Sequence, residues 1–152
     1  MIHEIVENRD YKQMVRLQIK EVMTFLLNSN QEFAITANVK GITFHPQLPT
    51  SILDQLSNFS LFVLSNYTYS TIKIDNEFLY FEAGFGKENF GSQVKIPLTG
   101  IFQIIIDESI IYINPIATFD KFFEKEKLEK KSMDVFKNNP HNKKLVDKGH
   151  QK

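Results

Sequence analysis

The stretch Phe78–Ile106, FLYFEAGFGKENFGSQVKIPLTGIFQIII, decides the fold. It reads as three strands. Phe78 to Ala83 is rich in aromatic residues, as strands are. Gly84 and Gly86 flank Phe85, and Gly91 follows a polar tip, so the chain turns there. Gln93 to Ile96 alternates, with Val94 and Ile96 on one face. Pro97 limits pairing beyond that point, because proline has no amide donor. Leu98 to Ile106 is then a nearly continuous apolar run, which predicts a strand covered on both faces. A hairpin that joins an aromatic strand to a proline-ended strand through glycines suits an extended peptide better than it suits catalysis.

Composition narrows the function classes. The 152 residues fit one domain of ordinary size, and 42% of them are hydrophobic. With 14 Phe and no Trp, phenylalanine dominates the expected core. The absence of Cys removes disulfides, thiolate chemistry and the usual zinc ligands. The formal net charge of 0 lacks the basic excess of a general nucleic-acid binder. The charge is uneven, however. Asp120 to Lys152 holds 10 Lys against 6 Asp or Glu, so +4, which leaves −4 on the first 119 residues. The N-terminal MIHEIVENRD lacks the apolar segment of a signal peptide, and no apolar run reaches the ~20 residues that span a bilayer. The chain reads as soluble and cytoplasmic.

In chain order, Asp10 and Gln13 have the spacing of a capping box for a first helix. Tyr11, Met14, Val15, Ile19, Val22, Phe25 and Leu26 are assigned to its core face. Leu17, Met23 and Leu27 fall off that face, either as ordinary exposed hydrophobes or as a second contact surface such as a dimer seam. Strands are predicted from Phe33 to Val39, Ile42 to His45, Phe59 to Leu64, Thr68 to Ile74 and Ile110 to Ile113, with one or two helical turns near Ile52 to Leu56. The expected fold is α+β: an N-terminal helix followed by an antiparallel sandwich or partly open barrel of about seven strands. Residues 1–119 form this domain, and 120–152 a short helix and a flexible basic tail. Phe122, Phe123, Leu128 and Phe136 are candidate docking residues of that helix.

Little in the sequence suggests catalysis. His3, His45, His141 and His150 are scattered, without metal-site spacing. Asp107 and Glu108 are adjacent in a turn and point apart, which does not suit general acid–base chemistry. The GFGKENFG segment matches neither GxGxxG nor a Walker loop, and a strand rather than a helix follows it. Neither a metal nor an organic cofactor is expected. Strand aromatics could instead stack on bases, as in small nucleic-acid-binding barrels. Near the hairpin only Lys73, Lys87 and Lys95 would serve the phosphates.

At the hairpin the sequence resembles the SspB family, adaptors that deliver ssrA-tagged proteins to the ClpXP protease. The family pattern Phe-x-Ala-x-Phe-Gly, a short turn, then Val-x-Val-Pro-Leu is similar to Phe81-Glu82-Ala83-Gly84-Phe85-Gly86 followed by Val94-Lys95-Ile96-Pro97-Leu98. FLLNSN at the end of the first helix, FAITANVKGITF with its Gly41, and IKIDNEFLYF resemble the preceding elements. The match runs from about Tyr11 to Ile106. The tip KENFGSQ looks about two residues longer than the family's, and the family's terminal docking motif is represented only by Lys143, Lys144, Leu145 and Val146, interrupted by Asp147.

The resemblance implies a non-enzymatic homodimer joined through the first helix, with Leu17, Met23 and Leu27 as seam candidates. It also implies a groove for the ssrA-type tag beside Ala83, and a tail that docks on the N-terminal domain of the ClpX unfoldase. The residues themselves add that Ala83, Gly84 and Gly86 let a peptide backbone approach. Phe81, Phe85, Val94 and Ile96 are candidates for an apolar floor, or equally for plain core, and Phe44 and His45 for an opposite wall. Two readings stand beside this one: a nucleic-acid-binding barrel, and a peptide binder that does not deliver to ClpX.

Overall fold

Gly86 and Asn89 both adopt positive φ, +73° and +53°. The computed structural model, which describes residues 1–119, therefore reverses the chain in four residues between Phe85 and Phe90. The Asn89 amide closes the turn on the Gly86 carbonyl at 3.1 Å. The flanking strands β5 (Phe78–Phe85) and β6 (Phe90–Pro97) are longer than the sequence suggests, and pair in register from Phe78↔Pro97 to Phe85↔Phe90. Phe90 to Ser92, read from the sequence as part of a long tip, are strand residues. The Asn89 side chain lies over Gly84, its Oδ1 1.6 Å from where a Cβ would stand, so a side chain at Gly84 would have to displace it.

Two four-stranded antiparallel sheets form among the described residues. The first has the order β3 (Phe59–Leu64), β1 (Phe33–Asn38), β7 (Ile101–Ile106), β8 (Ser109–Ile113). The second has the order β2 (Thr43–His45), β6, β5, β4 (Lys73–Ile74). Alternation along the strands turns Phe33, Ile35, Phe62, Leu64 and Ile104 of one sheet and Phe44, Leu79, Phe81, Val94 and Ile96 of the other into the core. The Phe62 ring meets Phe81 edge-on at 5.7 Å and Phe85 at 6.4 Å, joining the two inner faces. The described residues thus form an α+β fold with eight strands.

Two segments depart from the predicted strands because contacts distant in sequence override β-rich composition. Leu98–Gly100 is a 3₁₀ turn, so the apolar run after Pro97 is divided: β6 ends in one sheet and β7 begins in the other. Only Ile101 and Ile104 of β7 are fully buried, so this strand is not covered on both faces. Asn66–Ser70 forms a short helix α4 rather than a strand, opened by Asn66 at φ +52°. The Asn66 amide donates to Glu32 Oε2 at 2.6 Å, which ties α4 to the start of β1. Thr50–Leu53 forms the single helical turn α3.

The long helix α2 (Arg9–Asn28) follows a short helix α1 (Ile2–Val6) that the sequence reading does not contain. Its cap is Asn8, whose side chain accepts from the Tyr11 amide at 3.0 Å; Asp10 lies inside the first turn instead. The buried stripe is Val15, Ile19, Met23 and Leu26. Met23 is therefore a core residue, fully buried, and not part of an exposed seam. It lies nine residues after Met14, two and a half turns on, so the two occupy opposite sides of the helix. Met14, Leu17 and Phe25 accordingly share the outward face, at 48%, 52% and 69% exposure, whereas the sequence reading put Met14 and Phe25 in the core. Leu27 is half-buried between the faces. Gln18 accepts from the Tyr112 hydroxyl and Lys20 donates to Asn76, so α2 reaches β8 of the first sheet and the β4–β5 turn of the second.

After β8 the fully buried Asn114 donates to the carbonyls of Thr99 and Ile101 and accepts from the Ile116 amide. Three hydrogen bonds from one buried amide fasten the 3₁₀ turn Pro115–Thr118 against the start of β7. The helix expected after Lys121, with Phe122, Phe123, Leu128 and Phe136, lies outside the described residues. So do the tether candidates Lys143, Lys144, Leu145 and Val146. No helix among the described residues is long and apolar enough to cross a membrane.

Candidate peptide-binding site

The outer face of the second sheet is set by the same alternation that buries Phe81 and Val94. Register puts Glu82 opposite Gln93, and Gln93 opposite His45, in one row across β5, β6 and β2. The next row toward the hairpin tip is Gly84 opposite Gly91. The Asn89 side chain covers Gly84, so the dip in the sheet surface lies over Gly91. At Gly91 a Cβ would meet nothing within 4 Å.

This dip belongs to a cleft of about 750 Å³. One wall is the end of β2, His45 and Pro46; the other is α4 with the residue before it, Ser65 to Thr68. Glu82, Ala83 and Gly84 of β5, with Gly91, Ser92 and Gln93 of β6, lie between them, and Asn89 closes the tip. The walls are tied to the sheet. Ser92 Oγ donates to the Pro46 carbonyl at 2.9 Å, which holds the cis His45–Pro46 corner against β6. The Tyr67 hydroxyl donates to Glu82 Oε2 at 2.6 Å, and the Glu82 amide donates to Thr71 Oγ1 at 2.9 Å. The hydrogen bond to Glu82, reinforced by that carboxylate's charge, raises Tyr67 above the ordinary phenol pKa.

Of the groove candidates, the structure brings Ala83, Gly84 and His45 together in this cleft. It places the others elsewhere. Phe81, Val94, Ile96 and Phe44 are core, with at most 5% exposure, because the inward pleat of β5, β6 and β2 faces the first sheet. Phe85 is half-buried and packs edge-on against Phe44 at 5.7 Å. Gly86 is the turn residue already described, with Ile52 beneath it. The cleft floor is therefore small and polar rather than aromatic. Tyr67, Glu82, Gly91 and Gln93 are cleft residues that the sequence reading did not pick out. The Gly84–Gly91 pairing was readable once β5 and β6 were extended to the tip, but Tyr67 reaches the cleft only because α4 is a helix.

The opposite end of the same face satisfies itself. Asp75 accepts from the amides of Glu77 and Phe78 and from the Tyr80 hydroxyl, at 2.7 to 2.9 Å. Those bonds, the Glu77 amide foremost, pull its pKa below the ordinary carboxylate value. Lys95 Nζ lies 4.1 Å from the centre of the Phe78 ring. None of Lys73, Lys87 and Lys95 lines the cleft, whose lining contains one carboxylate, Glu82. Among the described residues no three His, Cys, Asp or Glu side chains gather as a metal site would require. No family model matches this chain, and no curated protein matches it.

Proposed function

We propose that this protein is a non-enzymatic adaptor that holds an extended peptide tag of the ssrA type in the cleft over Gly91 and passes tagged proteins to the ClpXP protease. The observation that carries the reading is the cleft itself. It opens beside Ala83, where the resemblance to the SspB family puts the tag, and its floor includes Gly91, over which nothing stands to keep a peptide backbone away. Its walls supply hydrogen-bond donors and acceptors, which suit a peptide main chain, and its one carboxylate would repel a nucleic-acid phosphate. Fluorescence polarisation with the host's own tag peptide tests the reading. Saturable binding that changes little between 50 and about 500 mM salt is expected; a steep loss with salt would point to nucleic acid instead. No binding at concentrations of about 100 μM, an affinity near −5.5 kcal/mol, would reject it.

The adaptor reading carries a homodimer joined through α2. The outward stripe Met14, Leu17 and Phe25 is the surface offered for it, with Leu17 and Phe25 eight residues apart on one side of the helix. Replacing Leu17 and Phe25 by Glu puts like charges into that seam and leaves the buried stripe untouched. Sedimentation at tens of micromolar, the order of magnitude at which weak pairs assemble, should shift from dimer to monomer with the circular dichroism unchanged. A wild-type chain that sediments as a monomer would contradict the seam.

A further inference from the structure

The cleft lining holds one carboxylate. Glu82 lies exposed on β5 in the row Glu82–Gln93–His45, and the lining contains no other Asp or Glu and no Lys or Arg. Its carboxylate is held by a neutral donor, the Tyr67 hydroxyl at 2.6 Å, and its own backbone amide is fixed by Thr71 Oγ1. Among the described residues, the ion pair that forms joins the Met1 amine to Glu4, far along the chain from this site. Glu82 thus presents an oriented negative charge that no cation among the described residues pairs with, and a carboxylate offers further acceptor positions beyond the one Tyr67 uses.

We propose that Glu82 sets the charge preference of the cleft: a bound extended peptide carries a lysine or arginine side chain opposite Glu82, and an acidic side chain at that position is rejected. The inference rests on the peptide-binding reading and names the peptide class. Orientation by Tyr67 lowers the entropy cost of forming the pair, which for two freely moving surface side chains consumes most of the gain. The repulsive arm matters as much as the attractive one, since a like charge held against Glu82 discriminates against the wrong peptide.

The experiment is a positional charge scan. Each residue of the host's tmRNA-encoded tag peptide is replaced in turn by Lys and by Glu, and binding to the full chain is read by fluorescence polarisation. At one position, or two neighbouring ones, the Lys peptide should bind about tenfold more tightly than the Glu peptide. Glu82→Gln should level that difference and Glu82→Lys should invert it, while Tyr67→Phe keeps the sign and shrinks the size. About 1 M salt should compress the preference in the wild type. Circular dichroism confirms that each variant folds, as expected for an exposed position. If the parent peptide binds but no position prefers Lys, or the preference survives in Glu82→Gln, the charge assignment is overturned and the peptide-binding reading stands. If the parent peptide and its whole scan fail to bind the wild-type chain, both fall together.

Discussion

Gly91→Ile should weaken tag binding roughly 100-fold while leaving the domain folded. Gly91 is paired with Gly84 on the outer face of β6, its backbone is not in the left-handed region, and a Cβ there meets open space. The new side chain can therefore enter only the cleft. A bound backbone would have to lift away from the floor or force the side chain off its rotamer, which costs about 1–3 kcal/mol; the upper part of that range is a factor of roughly 100. The fold should not suffer, since a β-branched residue suits a strand better than glycine does. Urea midpoint and peptide affinity measured together make the result decisive. Full affinity in a folded Gly91→Ile protein would move the binding site off this cleft. Gly91→Ala should fall between the two, and Ala83→Gln, from the half-buried neighbour on β5, should also reduce affinity.

Phe81→Ala should do the opposite, lowering stability by about 3–5 kcal/mol. Phe81 is 1% exposed, pairs with the fully buried Val94, and meets the Phe62 ring of the other sheet edge-on. Truncation removes apolar burial, an aromatic contact and the filling of a dense core at once. Domains of ordinary size hold only about 5–15 kcal/mol in total, so the loss is a large fraction of the whole. With a slope of ~1–3 kcal/mol per molar urea, the midpoint should drop by at least 1 M. Peptide affinity, measured where the variant is still folded, should change little. A stable Phe81→Ala protein that no longer binds peptide would restore Phe81 to a groove floor and overturn the two-sheet packing described above.

The two variants separate what pleat direction assigns. Both residues belong to the hairpin motif or its tip, and their neighbours alternate, but alternation alone does not say which face meets the second sheet. The motif Phe81–Gly86 was legible as a hairpin arm, and Ala83 and Gly84 as small residues, which the structure places in the cleft lining. That Phe81, Val94 and Ile96 look inward, and Glu82 and Gln93 outward, depends on a partner sheet that comes from residues 33–38, 59–64 and 101–113. Helix α2 makes the same point. Its apolar residues surround more than one side, and the stripe that is buried was selected by the sheets it touches, so Met23 went in and Phe25 stayed out.

The amino-acid sequence by itself determined the elements whose physics is local. Strand alternation in 33–38 and 59–64, the glycine-rich reversal after Phe85 and the 20-residue helix ending at Asn28 all follow from period, turn chemistry and propensity. So does the α+β class, which needs only the order of those elements. The tertiary structure alone decided which sheet each strand joins, because the 3₁₀ turn at Leu98–Gly100 sends β7 away from β6. It also decided that residues 66–70 coil into a helix, where Glu32 accepts the Asn66 amide from 34 positions away. The cleft exists for that reason: its floor includes Gly91, paired with Gly84 across a hairpin, but its walls are brought there by contacts distant in sequence, and no local pattern in the chain encodes their meeting.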